Sequence, residues 1–191
     1  MSNDMKSQGG VTGTGTGTGT IRFAVSKQPG ALAADLPMRA LGFHPYGHEW
    51  ATGQRVVLPV QAATFAEFTE YVLRHADKSD GYRPEEDPYT KGICVAKTID
   101  EVARNDDDIK MLSRLGTSDV LYELVHVAST LSMDRLLGEL LSVLVVRYRD
   151  FKTMETLSLQ LLKEAAGWKR GILVWKTQRS DDGWYEAVWK K

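Results

Sequence analysis

Two histidines four residues apart, His44 and His48, have the spacing of a metal-binding pair. On a helix such imidazoles share one face and can hold zinc together. Pro45 and Gly47 stand between them, and a proline removes a backbone donor that a helix interior needs. The segment is therefore expected to be a loop with incidental histidines. Cys94 is the only cysteine. It can form neither an intramolecular disulfide nor a Cys-based metal cluster, and a reducing compartment is the simple expectation. A thiol nucleophile needs a base that holds it as thiolate, and no local arrangement supplies one. His75 lies near the C-terminus of a predicted helix and reads as a surface residue favoured by the helix dipole. His126 lies off the apolar stripe of its own helix, where contact with another surface suits it as well as catalysis. Asp106, Asp107 and Asp108 lack the spaced oxygen ligands of a calcium loop. They read as a solvated cap at the favourable end of a short helix that stops at Gly116.

Two other stretches invite chemistry and do not carry it. Residues 1–20 end in TGTGTGTGT. Strict glycine alternation cannot satisfy G-x-G-x-x-G, and no Gly-Lys-Ser/Thr follows. With no apolar side chain between Val11 and Thr20, this tail cannot offset its ordering entropy by burial and is expected to be flexible. The final stretch, GILVWKTQRSDDGWYEAVWKK, is rich in tryptophan. Its rings could stack on bases or sugars, but no basic groove accompanies them, so packing is the expected role. No catalytic residue, cofactor or metal site is assigned, and the chain is expected not to be an enzyme.

The elements that would position any site follow from pattern. The chain is 42% hydrophobic and 26% charged, with a net charge of −1. One globular domain with tails fits its 191 residues, and the charge gives no reason to expect nucleic acid or an anionic membrane as partner. The opening MSNDMKSQGG has no apolar segment after a basic start, so no signal peptide is expected. The longest aliphatic run, Val143 to Val146, is far short of the roughly 20 residues that span a bilayer.

Ile21, Phe23 and Val25 alternate as a strand. Leu32, Leu36, Met38 and Leu41 recur at broadly helical intervals, with Pro37 starting or kinking a helix. QRVVLPV (54–60) reads as a second strand with Pro59 at an edge or an end. Thr64 and Glu67 have the spacing of a capping box, opening a helix over about 64–76 that carries Phe65, Phe68 and Val72. Residues 77–88 are polar and rich in breakers, a loop; Thr98 and Glu101 form a second capping box. Val120, Leu121, Leu124, Val125, Ala128 and Leu131 make one helical stripe. Ser132-Met133-Asp134 then breaks the chain. In the next helix Leu137, Leu140, Leu141, Leu144 and Tyr148 line one side, while Val143 and Val146 lie away from it. A further helix starts at Thr153, carries Leu157, Leu161 and Leu162, and ends near Gly167. In the tail, SDDG between aromatic runs reads as a hairpin turn; a short helix over 181–190 capped by Ser180 is the alternative.

This order of elements resembles the Skp-one family, the BTB/POZ-fold adaptors that link F-box proteins to a cullin in SCF ubiquitin ligases. The resemblance rests on VVLPV, ATFAEFTEYVLRHADK, LYELVHVASTLSMDRLLGELLSVLVV and KTMETLSLQLL, about 56–78 and 109–162. Leu121-x-Glu123-Leu124, with Leu131, Leu136 and Leu137 at the family's spacing, is its most specific part. It implies an α+β fold, a small BTB/POZ-like sheet flanked by helices over 21–148. An insertion loop lies at about 77–97, and residues 149–191 form an F-box-binding extension with extra helices. By position, Leu140, Leu141, Leu144, Tyr148, Leu157 and Leu161 would form an apolar groove for an F-box. His126, Ser129 and Thr130 would mark the cullin edge. Three departures stand out. Ser129-Thr130 replaces the family's Asn-Tyr pair, removing a large interface anchor. The first strand of the family's opening hairpin is absent or replaced by the Gly/Thr repeat, and the tail lacks the family's glutamate-rich terminal helix. The implied function is a cofactor-free adaptor between an F-box receptor and a cullin, cytoplasmic or nuclear. The alternative is a structural subunit that binds an F-box-like protein without a cullin. The helices after Val146 argue against an elongin C-like adaptor.

Overall fold

Strand β1, Thr20–Ala24, buries Ile21 and Phe23 and exposes Thr20 and Arg22, the period of a strand with one wet face. The computed structural model describes residues 19–37, 52–76, 103, 106–115, 119–147, 171–176, 178 and 180–191. Strand β2, Ala33–Pro37, returns antiparallel to β1. This corrects, as far as Pro37, the helix expected from Leu32 and Leu36; Met38 and Leu41, the other residues of that expectation, lie outside the described residues. A spacing of four is even, so it fits a strand's period of two as well as a helical turn. Pairing decides the matter: Leu36 lies opposite Ile21, and Asp35 lies opposite Arg22 with an ion pair of 3.1 Å. Pro37 ends an edge strand, where a missing backbone donor is tolerated.

Strand β3, Arg55–Val57, runs parallel to β1. The tail takes the hairpin form: β4, Ile172–Trp175, pairs antiparallel with β5, Trp184–Lys190. Strand β5 also pairs in parallel with β3, giving one five-stranded sheet in the order β2-β1-β3-β5-β4. So β3 is interior, and Pro59 falls just beyond its ladder rather than on an edge.

Helix α1, Ala62–His75, begins before Thr64, so the capping box there does not form. Thr64 is fully buried and donates its hydroxyl to Glu123, which also accepts the Gln61 backbone N–H at 3.0 Å. A carboxylate from another helix thus sits at the N-terminus of α1, where the dipole favours negative charge. Glu67, freed from capping, pairs with Arg114 at 2.7 Å. Helix α2 spans Asp106–Leu115, α3 spans Asp119–Thr130 and α4 spans Asp134–Arg147. Ser132, at φ 53°, makes the turn between α3 and α4.

The fold is α+β, a mixed sheet with helices packed on one face. Ile21, Phe23, Leu36, Val56 and Leu58 meet Phe65, Phe68, Leu112, Leu121, Leu124, Val127 and Leu131 in a single core. Helix α4 buries Leu136, Leu140, Leu141, Val143 and Leu144. With Glu139 and Ser142, which are buried too, these positions run round much of its circumference, which marks a helix enclosed by its own protein. The wide apolar surface that suggested a binding groove is therefore core. The second capping box, the loop at 77–97, the helix from Thr153 and the Gly/Thr repeat up to residue 18 lie outside the described residues.

Gly171 enters β4 at φ 84°, and a Cβ there would lie 2.0 Å from the Lys190 carbonyl oxygen. Gly53 has a similar φ of 79° but open space around it. Gly53→Ala should cost only the left-handed penalty of about 1 kcal/mol. Gly171→Ala adds a backbone collision and should cost more, the difference being read from urea unfolding of the two variants.

Candidate functional site

Helix phase, more than local composition, decides what the acidic run does. Asp108, Met111, Leu112 and Leu115 follow i, i+3, i+4, i+7 and are buried together. Asp106 and Asp107 remain exposed, as a solvated cap requires; Asp108 has no exposed surface, which corrects that reading for the third residue. Its carboxylate accepts from Arg74 of α1 at 2.6 Å and meets His75 Nε2 at 3.1 Å. Arg135 of α4 approaches to 3.8 Å. His75 is consequently no surface residue: its side chain is 8% exposed and its ring lies 4.3 Å from that of Tyr71.

Glu139 completes this cluster, paired with Arg135 at 3.1 Å. Burial raises its carboxyl to about 7, the negative charge of Asp108 adds to the rise, and Arg135 opposes it. Among the described residues the Tyr71 hydroxyl and Glu139 Oε2 are buried without a hydrogen-bond partner. Burial also pushes the Tyr71 phenol well above its ordinary value, helped by the charge of Glu139. A His–Asp pair with a perturbed carboxyl has the ingredients of acid–base chemistry. These contacts bring in no hydroxyl or thiol nucleophile apart from the tyrosine, and each group is engaged in joining α1, α2 and α4. The cluster acts as a polar lock between helices.

The residues nominated for partner binding divide between two places. His126 packs edge-to-face on Trp189 of β5, with ring centroids 5.4 Å apart. Burial there lowers the imidazole's pKa, against the pull of Glu123. The Thr130 hydroxyl donates to the Leu173 carbonyl at 3.0 Å, and the Thr130 carbonyl accepts from Trp175 Nε1 at 2.8 Å. Trp189 Nε1 donates to the Pro59 carbonyl at 2.8 Å. The tail hairpin thus clamps the end of α3, and of the three residues at the expected cullin edge Ser129 is the exposed one. Leu140, Leu141 and Leu144 are 0, 7 and 1% exposed and belong to the core cluster. Tyr148, Leu157 and Leu161 lie outside the described residues, as do His44, His48 and Cys94.

Among the described residues no group of three or more histidine, cysteine or acidic side chains could hold a metal ion, and no helix is long and apolar enough to cross a membrane. Comparison with protein-family models, with curated proteins and with solved structures yields no match.

The Glu139 carboxyl sets a direction for stability against pH. Its folded value, about 7, lies above the ordinary 4.5, so between those values the folded chain holds the proton more firmly than the unfolded chain. Unfolding then releases a proton, and stability falls as pH rises through this window before levelling off. Glu139→Gln should remove that slope. From pH 5 to 8 the wild type should lose up to about 3 kcal/mol more than the variant, measured by urea unfolding at each pH.

Proposed function

We propose that the chain is a non-enzymatic adaptor of the Skp-one type, holding an F-box substrate receptor against a cullin in an SCF-type ubiquitin ligase. One observation carries this reading. Leu121, Leu124, Leu131 and Leu136, the residues of the most specific matching segment, are 0–1% exposed and fix the α3–turn–α4 pair against the sheet and α1. Strands β1 and β2 add support: they form an antiparallel hairpin, although the first strand of the family's opening hairpin is expected from the sequence to be missing. On this reading the sheet, α1 and the α3–α4 pair are the BTB/POZ-like platform. The F-box contact is then left to Tyr148, Leu157 and Leu161. Leu140, Leu141 and Leu144 belong to the core, and a partner could reach them only by displacing packing worth about 1.5–3 kcal/mol per side chain.

The contacts of His126 and Thr130 with the tail hairpin favour a second reading. An edge occupied by the chain's own Trp175 and Trp189 leaves less room for a cullin, which suits a subunit that binds an F-box-like protein in a cullin-independent assembly.

Affinity purification of the full chain with mass spectrometry separates the two. The adaptor reading expects F-box proteins together with a cullin, and the second expects F-box-like proteins alone; recovery of neither class would refute both. Ser129→Arg, at an exposed position, should reduce cullin recovery and leave F-box recovery unchanged. Leu144→Asp would put an unpaired carboxylate in the core and should lower stability even without a partner.

A further inference from the structure

The sheet has a second face, turned away from the helices, and alternation fixes what stands on it. Strand register puts Asp35 opposite Arg22, Arg22 opposite Arg55, and Arg55 opposite Trp184. These four side chains therefore form one row across β2, β1, β3 and β5. Arg22 is paired with Asp35 at 3.1 Å. Arg55 has no carboxylate partner among the described residues; its guanidinium lies 5.8 Å from the Trp184 ring centroid. Like charges directly across a strand pair are unfavourable, and in a chain of net charge −1 the pair does not reflect a general excess of cations. An exposed sheet gains nothing from two neighbouring guanidiniums of which one alone is paired with a carboxylate.

We propose that this row is a docking surface for an acidic segment of a partner protein, with a partner carboxylate seated between Arg22 and Arg55 beside the Trp184 ring. Guanidinium forks match a carboxylate in two-point fashion, and an incoming negative charge relieves the repulsion within the pair. The indole holds Arg55 in place and offers apolar surface to the stem of the incoming side chain. A protein segment fits better than nucleic acid. Asp35 closes one end of the row; beyond the other end Glu186 lies on the same side of β5 as Trp184, but it is already paired with Lys27 and Lys176. A continuous polyanion running along the row would meet the Asp35 carboxylate, whereas a single carboxylate seated between Arg22 and Arg55 need not displace it. The surface lies across the sheet from the helices and does not depend on the adaptor reading.

The test is selection from a displayed random-peptide library on the intact chain, followed by fluorescence anisotropy of the selected peptides. Arg22 and Arg55 are exposed, so Arg22→Gln and Arg55→Gln should keep the wild-type urea midpoint closely enough for direct comparison. The expected result is enrichment of peptides rich in Asp and Glu. Their affinity should fall about tenfold in each variant and weaken with added salt. No enrichment over a bait-free control, selected peptides without acidic bias, or affinities indifferent to both substitutions would each overturn the proposal. So would tighter binding of oligothymidylate, lost in Arg55→Gln, which would assign the row to nucleic acid instead.

Discussion

The helical layer depends on the buried charge of Asp108. A carboxylate with no exposed surface must be compensated, because an unpaired charge in the interior costs several kcal/mol. Here the compensation comes from Arg74 and His75 on α1 and from Arg135 on α4, so one residue of α2 sets where two other helices lie. Hydrophobic contacts are weakly directional and would tolerate small slides between these helices; the ion contacts do not. Glu123 plays a comparable part between α3 and α1, reaching Thr64 and the Gln61 N–H at the start of α1. The four helices are thus registered to one another by two buried carboxylates and held together by the apolar core.

Registration of this kind explains how α4 can be buried round so much of its surface, polar Glu139 and Ser142 included. With α1 and α2 fixed by Asp108 and the end of α3 clamped by the tail hairpin, Leu140, Val143 and Leu144 are enclosed together. The hairpin contributes by joining the sheet: β5 pairs with β3 in the sheet interior, and Trp175 and Trp189 reach from the sheet to the Thr130 and Pro59 carbonyls. Indole N–H groups that are mostly buried need acceptors, and backbone carbonyls at a helix end and just past a strand end are groups left open by regular structure.

What was legible in the sequence and what was not follows the range of the interaction. The stripes of α1 and α3, the break at Ser132 and the tail hairpin depend on neighbours within a few positions and were readable from spacing. The segment at 33–37 was misread because Leu32 and Leu36 satisfy both periods, and only pairing with β1 separates them. Thr64 and Glu67 have the local pattern of a cap, yet each found a stronger partner in a distant helix, Glu123 and Arg114. Asp108 could have been found, since it continues the stripe of Met111, Leu112 and Leu115 backward by one turn. The parallel union of β5 with β3 has no local signature, because it joins residues far apart in the chain. For the same reason the clamp on His126 and Thr130 could not be foreseen, nor could the meeting of Arg22, Arg55 and Trp184.

The two faces of the sheet show what such long-range pairing can create. On the inner face, register brings like with like, and Ile21, Phe23 and Val56 merge into the core. On the outer face the same register aligns Arg22 with Arg55, an arrangement that folding alone would not favour. Each strand taken singly is ordinary, a polar residue alternating with apolar ones. Only the parallel pairing of β1 with β3 turns two separate arginines into one concentrated charge, and β5 then sets an aromatic ring beside it. A cost imposed by register, offset at Arg22 by Asp35 but at Arg55 by no carboxylate among the described residues, is the kind of local inconsistency that points to function, because a single substitution at position 55 would remove it without disturbing the core.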